Sequence, residues 1–278
     1  HMWEEPCISG DAGSGAVFFS GCSMGCIFCQ NHNIAEAKAG KIITIERLSQ
    51  IFLELQGEGA ANINLVTPTH YIPQIIKALE LSKNQGMNLP VVYNSGGYEK
   101  AEALKLLDGL VDVYLPDMKY MSPGLAGKYS KAQDYPAAMA ALAEMFRQVG
   151  TPVFEVEKPD DNTATDEAGL IMKRGMIVRH LVLPGCTADS KAVVKYLYDT
   201  YGDDIYMSIM SQYTPMPELM PGGKLNALYP ELGRCVTQEE YDEVVDYAID
   251  LGVENAFIQE GDVAKDSFIP DFDMLAGV

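Results

Sequence analysis

Three cysteines stand close together near the start of the chain: Cys22, Cys26 and Cys29. Their spacing is C-x3-C-x2-C, and they directly follow the apolar run 16–20, which is a predicted strand. Three thiolates suit three irons of a cubane [4Fe–4S] cluster, whose ligands are usually four cysteines. The next cysteine along the chain is Cys186. The spacing therefore predicts a cluster with one iron left open for a non-protein ligand.

A structural zinc site is the alternative use of the same cysteines. His32 lies three residues beyond Cys29, and it would complete a Cys3His set of zinc ligands. The position after a first strand, rather than in a small knuckle, favours the cluster. The remaining cysteines are expected to be small apolar side chains or loop thiols: Cys7, Cys186 and Cys235.

The rest of the chain alternates short apolar runs with amphipathic stretches, as strands and helices do in turn. Strands are predicted at 16–20, 62–67, 91–93, 111–115, 176–183, 205–210 and 254–259. Helices are predicted at 44–55, 72–83, 99–107, 136–149, 190–201 and 237–251. Strand followed by helix at this spacing indicates βαβ units and a parallel sheet. The predicted fold is α/β, a partial (β/α)6-type TIM barrel.

We expect one domain over 1–278, made of an N-terminal extension 1–15, a barrel over about 16–260 and a C-terminal tail 261–278. The polar stretch 160–167 is a predicted loop, and so is 214–235, which has four prolines and three glycines and is placed on the working face of the barrel. Active sites of parallel barrels lie at the C-terminal ends of the strands. The residues directly after each strand are therefore the candidate site residues.

The composition of the chain argues against nucleic-acid binding, lipid binding and a membrane span. Apolar residues make up 47% of the 278 and charged residues 21%, which is ordinary for a globular protein. The net charge of −19 lacks the electrostatic footprint for binding nucleic acid or anionic lipid. No apolar run approaches the ~18 residues of a membrane span. A tight cysteine cluster without a visible secretory signal is typical of a reducing cytoplasm.

The cysteine spacing, with the aromatic Phe28 just before the third cysteine, resembles the radical S-adenosylmethionine (SAM) superfamily. Within it, the chain resembles the pyruvate formate-lyase activating enzyme group, in its branch of uncharacterised homologues. That closer resemblance lies in Glu4–Gly10, Asn62–His70 and Val178–Gly185, and it covers essentially the whole chain. It implies that SAM chelates the fourth iron of the cluster. One electron then splits SAM into methionine and a 5′-deoxyadenosyl radical, which takes a hydrogen atom from the substrate.

The resemblance also implies which side chains contact SAM. Asp117 and Lys119 match the Asp-x-Lys motif of the activases. A lysine can meet the methionine carboxylate, and an aspartate can accept hydrogen bonds from ribose or ammonium. Arg179 resembles an activase arginine near the SAM carboxylate, and Phe28 adjoins the same site.

Other strand ends depart from the activase pattern or are less specific. Activases usually carry Gly-Gly-Glu-Pro after the second strand, where this chain has Thr-Pro-Thr-His at 67–70. The hydroxyls of Thr67 and Thr69 are expected to face the SAM ammonium in place of the glutamate. Asn94 and Ser95 are expected to line the ribose pocket. Gln212 occupies the place of a SAM-contacting histidine, but it cannot titrate.

The resemblance predicts a radical SAM oxidoreductase that activates a glycyl radical enzyme by hydrogen abstraction from a glycine. Its electron donor would be reduced flavodoxin or ferredoxin. A second hypothesis keeps the chemistry but gives it a small metabolite or another peptide as substrate. A third is a non-catalytic iron–sulfur or zinc protein on a degenerate barrel.

Overall fold

The computed structural model describes residues 2, 4–156 and 169–259. The predicted loop 160–167 and the tail 261–278 lie outside the described residues. The strands are β1 Gly15–Phe18, β2 Ile63–Val66, β3 Val91–Ser95, β4 Val113–Pro116, β5 Val153–Val156, β6 Leu170–Leu181, β7 Tyr206–Met210 and β8 Ala256–Ile258. The helices are α1 Pro6–Ser9, α2 His32–Ala35, α3 Ile45–Gly57, α4 Ile72–Asn84, α5 Ala101–Leu104, α6 Pro123–Ser130, α7 Ala138–Val149, α8 Thr187–Tyr201 and α9 Gln238–Leu251. Short 3-10 turns lie at Thr69–Tyr71, Lys105–Leu107, Tyr135–Ala137 and Pro230–Gly233.

The strands join in one sheet of order β1-β2-β3-β4-β6-β7-β8, and every neighbouring pair along this path is parallel. Strand β5 stands off the path and pairs antiparallel with β6. Among the described residues, no pairing joins β1 to β8, so the sheet is an open, partial barrel. The predicted α/β fold with a parallel sheet is confirmed.

Both faces of the sheet are covered, as parallel sheets require. On the outer face, Leu65, Tyr93 and Tyr114 belong to the large core between strands and helices. On the inner face, Val92 and Val113 alternate with them and form a smaller core. Helix α1 closes this inner core with the buried side chains of Cys7 and Ile8. The predicted N-terminal extension is therefore part of the barrel's interior.

Two helices are capped by the side chain of the first residue of their predicted ranges, 44–55 and 237–251. The Thr44 hydroxyl accepts a hydrogen bond from the Arg47 amide at the start of α3, at 3.1 Å. Thr237 and Glu240 form a capping box at the start of α9. Side-chain caps satisfy amide groups that have no partner within the helix. Among the described residues, no helix is both long and apolar enough to cross a bilayer.

The helices α1, α2 and α6, the strand β5 and the first half of β6 were not predicted. Helix α6 contains a proline and two glycines, a composition typical of a turn, yet Ser122 caps it by accepting from the Leu125 amide at 3.3 Å. Strand β6 begins at Leu170 rather than at 176, because its first half forms a hairpin with the mostly exposed β5. Exposed positions and the charged pair Lys173 and Arg174 hide this extension from an apolar pattern.

Candidate active site

The cysteine loop follows the C-terminal end of β1 and is held from two sides. On one side, the amides of Gly21 and Cys22 donate to carbonyls at the end of α2, at 2.8 and 3.1 Å. On the other, Gly25 N donates to the Ser130 carbonyl at 3.1 Å, and Ile27 N to the Tyr129 carbonyl at 2.9 Å. The loop is therefore clamped between α2 and the last residues of α6.

The three cysteines are each half-buried, and their thiols lie close enough to influence one another's pKa. Burial raises the pKa of Cys29 to about 11, and the neighbouring Cys26 and Cys22 add to the shift. Burial also raises the pKa of Cys26, opposed by Lys119 and by a hydrogen bond from Ser130. Metal binding requires the thiolate form, so the metal itself must drive off these protons.

Two kinds of metal site make different demands on these donors. In the described part of the chain, no group of three or more His, Cys, Asp or Glu side chains is placed to hold one metal ion, and this applies to a Cys3His set with His32 and to the three cysteines alone. A cubane makes a different demand, because each thiolate binds an iron of its own. Three thiols on one clamped loop are the ligands that three irons of a [4Fe–4S] cluster need.

Lys119 and Asp117 lie beside the cysteine loop, just after β4. The Lys119 ammonium pairs with the Asp117 carboxylate. Burial alone would lower the pKa of Lys119, but Asp117 and the thiol of Cys26 outweigh it and raise that pKa. Lys119 is therefore a charged group close enough to Cys26 for the two to interact electrostatically, and its contact with SAM stays a prediction.

The loop after β3 packs closely against the end of β4. A Cβ atom on Gly97, whose φ is +71°, would lie 2.0 Å from the Asp117 carbonyl oxygen, so this approach requires glycine. The Tyr135 hydroxyl accepts from the Lys119 amide at 2.8 Å and lies 3.1 Å from the Asp117 carbonyl. Sequence reasoning missed Tyr135, because it stands in a 3-10 turn with no motif around it.

The end of β2 carries backbone strain and a buried carboxylate. Thr67 has φ +57°, a left-handed conformation unusual for a β-branched residue and often found at functional sites. The Thr69 hydroxyl donates to Glu99 Oε1 at 2.6 Å, and the Tyr93 hydroxyl donates to the same oxygen at 3.2 Å. Burial raises the pKa of Glu99 to about 6. The sequence has no carboxylate at 67–70, and the structure places Glu99 from the β3 loop beside that turn.

The ends of β3 and β7 hold the remaining predicted contacts. Asn94 is half-buried, and its carbonyl accepts from the Thr67 amide at 2.8 Å. The Ser95 hydroxyl accepts from the Gly97 amide at 3.3 Å, so it orders the glycine loop. Gln212 is half-buried just beyond β7. The SAM contacts of all three side chains stay predictions.

Arg179 lies next to Asp117 across an isolated bridge between β6 and the chain after β4. Its guanidinium pairs with Glu4, and it donates to Glu5 Oε1 and Oε2 at 2.9 and 2.6 Å. Asn64 also donates to Glu4, at 2.9 Å. The two glutamates precede α1, and sequence reasoning did not identify them as partners. The contact of Arg179 with SAM stays a prediction, and these carboxylates already occupy its Nε and Nη2 donors.

The long loop 214–235 lies against both α6 and the cysteine loop. Glu231 accepts from Lys128 and from the Tyr129 hydroxyl, each at 2.5 Å. Gln30, just after the third cysteine, donates to the Thr214 carbonyl at 2.7 Å. Phe28 is buried with its ring edge-on to Tyr213, at 5.9 Å between centroids. The loop therefore lies at the mouth of the sheet beside the cysteines.

A comparison with protein families matches the part of the chain that carries the cysteine loop. Residues 8–135, which include the cysteine loop and the ends of β1 to β4, match the family model described as a 4Fe-4S single cluster domain. This segment is similar to 4Fe–4S single cluster domains, which agrees with a [4Fe–4S] cluster on its cysteine loop.

One curated relative and several solved structures are similar to this chain. An uncharacterized protein of Methanocaldococcus jannaschii is 28% identical over 262 residues, which cover 89% of this chain and 64% of that protein. Streptococcus suis SuiB bound to S-adenosylmethionine superposes with a TM-score of 0.54 at 10% identity, covering 88% of this chain and 50% of SuiB. SuiB bound to its precursor peptide SuiA gives a TM-score of 0.53 at 10% identity, covering 87% of this chain and 47% of SuiB. The SuiB comparisons show the fold. The chain spans slightly less than two thirds of the curated relative's length and about half of SuiB's.

Proposed function

We propose that this protein is a radical SAM enzyme whose cluster is held by Cys22, Cys26 and Cys29 and whose second cofactor is SAM. The carrying observation is the position of the Lys119–Asp117 pair beside the thiol of Cys26, at the C-terminal end of the sheet. When bound, the two cofactors supply reductive cleavage of SAM to methionine and a 5′-deoxyadenosyl radical, with one electron consumed.

The chain's own residues orient SAM and shield it from water. Lys119 carries the positive charge for the methionine carboxylate, and Asp117 holds the lysine in place. The turn at Thr67 and Thr69 presents hydroxyl and carbonyl oxygens for the ammonium group. The loop 214–235 covers one side of the mouth, which limits solvent near a radical.

The substrate is proposed from the activase resemblance: a glycine of a glycyl radical enzyme, from which a hydrogen atom is abstracted. The protein would be cytoplasmic and would receive electrons from reduced flavodoxin or ferredoxin. A small metabolite or another peptide is the alternative substrate, and the partner test below separates the two.

The first experiment tests the cofactors and the cleavage. Anaerobic reconstitution of the native chain should load about four irons, as a cubane requires. With SAM and dithionite, the loaded protein should release 5′-deoxyadenosine and methionine, detected by mass spectrometry. The triple variant Cys22→Ala, Cys26→Ala, Cys29→Ala should lose iron and cleavage, while Cys235→Ala, an exposed cysteine outside the loop, should keep both. A full cluster without any SAM cleavage would support the non-catalytic alternative.

The second experiment tests the substrate. Incubation of the loaded protein and SAM with a candidate glycyl radical enzyme should yield a glycyl doublet in the electron paramagnetic resonance spectrum. Cleavage of SAM without a partner radical, but with deuterium exchange between a small metabolite and 5′-deoxyadenosine, would assign the metabolite instead.

A further inference from the structure

One of the three cysteines receives a hydrogen bond from a buried side chain. The Ser130 hydroxyl donates to Cys26 Sγ at 2.9 Å. Ser130 is the last residue of α6 and is fully buried. Its backbone carbonyl accepts from Gly25, so the same residue both shapes the cysteine loop and contacts its sulfur.

A second hydroxyl orients the first. Tyr120 Oη lies 2.8 Å from Ser130 Oγ, and Tyr120 is also buried. Each hydroxyl carries one proton. When Ser130 gives its proton to the Cys26 sulfur, its oxygen accepts the proton of Tyr120. The three groups therefore form a directed chain from Tyr120 through Ser130 to Cys26.

The other two sulfurs receive backbone donors. Cys22 Sγ accepts from the Met24 amide at 3.4 Å, and Cys29 accepts from the backbone of Asn31. Loop folding supplies such amide contacts whatever the side chains are. The contact at Cys26 is different, because it depends on the identity of a residue distant in sequence and a substitution can remove it.

Hydrogen bonds to the thiolate sulfurs are among the factors that set the reduction potential of an iron–sulfur cluster. Reduction adds negative charge to the cluster, so a donor aimed at a ligand sulfur stabilises the reduced state more than the oxidised state. Burial strengthens this effect, since water does not compete for the sulfur. We propose that Ser130, oriented by Tyr120, is a positioning residue that raises the reduction potential of the cluster at Cys26. The inference rests on the cluster ligands assigned under the proposed function.

The test is a redox titration of the reconstituted cluster, followed by electron paramagnetic resonance in the absence of SAM. Ser130→Ala should load a full cluster and shift its midpoint potential to a more negative value. Tyr120→Phe, which keeps the serine, should shift the potential in the same direction by a smaller amount. Ser82→Ala removes a serine hydroxyl that is equally buried but bonds to a carbonyl in α4, and its potential should equal that of the native protein.

Each outcome decides a separate point. A full cluster with unchanged midpoint potentials in both Ser130→Ala and Tyr120→Phe would overturn this inference and leave the proposed function standing. If Ser130→Ala does not load iron, Tyr120→Phe decides alone, and an unshifted or more positive potential there overturns the inference. Failure of the native chain to take up iron would overturn the proposed function itself, and this inference with it.

Discussion

Two buried cations stand side by side at the mouth of the sheet, and they find their partners in opposite ways. Lys119 pairs with Asp117, two residues away, in a balanced pair. Arg179 pairs with Glu4 and Glu5, which lie 175 and 174 residues away and outnumber it. The first pair leaves its lysine near the thiol of Cys26, whereas the second uses the Nε and Nη2 groups of the arginine to hold the N-terminal segment in the barrel. A charged side chain near a site is thus not by itself evidence of contact with a ligand. Its ion-pair partners determine whether it is available to bind one.

Glu99 adds a third case, a buried carboxylate held by hydroxyl groups. Its Oε1 accepts from Thr69 and Tyr93, and among the described residues its Oε2 is buried without a hydrogen-bond partner. The three cases predict different effects of substitution on the free energy of unfolding. Removing the cation that pairs with two buried carboxylates should destabilise the fold more than neutralising a single buried carboxylate.

The largest effect is expected at Arg179. Arg179→Met leaves Glu4 and Glu5 buried without a cation, and breaking such a buried pair costs about 3–5 kcal/mol. Thermal unfolding of the cluster-loaded protein should show the loss, and Arg179→Lys should lose less because it keeps the charge. A loss in the free energy of unfolding below about 1 kcal/mol, the range of surface ion pairs, would show that burial does not strengthen this pair.

The same variant predicts a pH dependence. Burial would raise the pKa of Glu5, but Arg179 outweighs it and lowers that pKa. A carboxyl with a lowered pKa stabilises the fold above its unfolded-state pKa, and the contribution is lost as the pH falls through the folded-state value. The stability gap between native protein and Arg179→Met should therefore narrow as the solution is acidified below about pH 4.5. A gap that stays constant would contradict the ion-pair explanation.

The next effect concerns SAM binding, which should depend on Lys119 but not on Arg179. Lys119→Met should weaken SAM binding by roughly 1.5–3 kcal/mol, the contribution of a hydrogen bond to a charged group, or about ten- to hundredfold in Kd. Calorimetry on the cluster-loaded protein measures it. Lys191→Met, which removes a lysine paired with Glu243 on the helix layer, is the control and should bind SAM normally. An equal loss of affinity for SAM in Arg179→Met would indicate that Arg179 also contacts SAM.

Glu99 should show the opposite sign of pH dependence. Its folded-state pKa of about 6 lies above the ordinary value of 4.5, so the folded protein binds this proton more tightly than the unfolded chain. Stability is therefore lost as the pH rises from about 4.5 to 6, by about 2 kcal/mol at 1.36 kcal/mol per pKa unit. Glu99→Gln should remove this loss and be more stable than the native protein at pH 7. Glu58→Gln, at an exposed position, should leave the pH profile unchanged.

The smallest effect is expected at the surface. Arg47 lies 2.6 Å from Glu54, the same separation as Arg179 from Glu5 Oε2. Because the Arg47 pair is solvent-exposed, Arg47→Met should change stability by about 0–1 kcal/mol. Measured under the same conditions as Arg179→Met, this variant isolates burial as the cause of the difference. Equal losses in the two variants would contradict it.

The parts of the site that sequence reasoning predicted are local. The cysteine loop and the Asp117–Lys119 pair each lie within a few residues directly after an apolar strand, so spacing alone placed them at one edge of the sheet. The second predicted strand, 62–67, contains the observed β2 because all four of its residues are buried. Local pattern and tertiary position agree in these cases.

The parts that were missed depend on distant residues. The partners of Arg179 come from before α1, and Glu99 reaches Thr69 across two strand ends. Helix α6 carries glycines and a proline, so its sequence gave no helical pattern, yet it supplies Ser130 to the cysteine loop. Packing in three dimensions brings these groups together, and the distances between them cannot be read from local patterns in one sequence.

The two-sided clamp on the cysteine loop has a consequence for how the protein is made. Cys26 and Ser130 are 104 residues apart, and translation at about 5–20 residues per second needs roughly 5–20 s to cover that interval. The cysteines thus leave the ribosome before α6 exists to hold them. The clamped loop is complete only after that delay. Iron delivered to the clamped loop must therefore arrive after α6 has been synthesised.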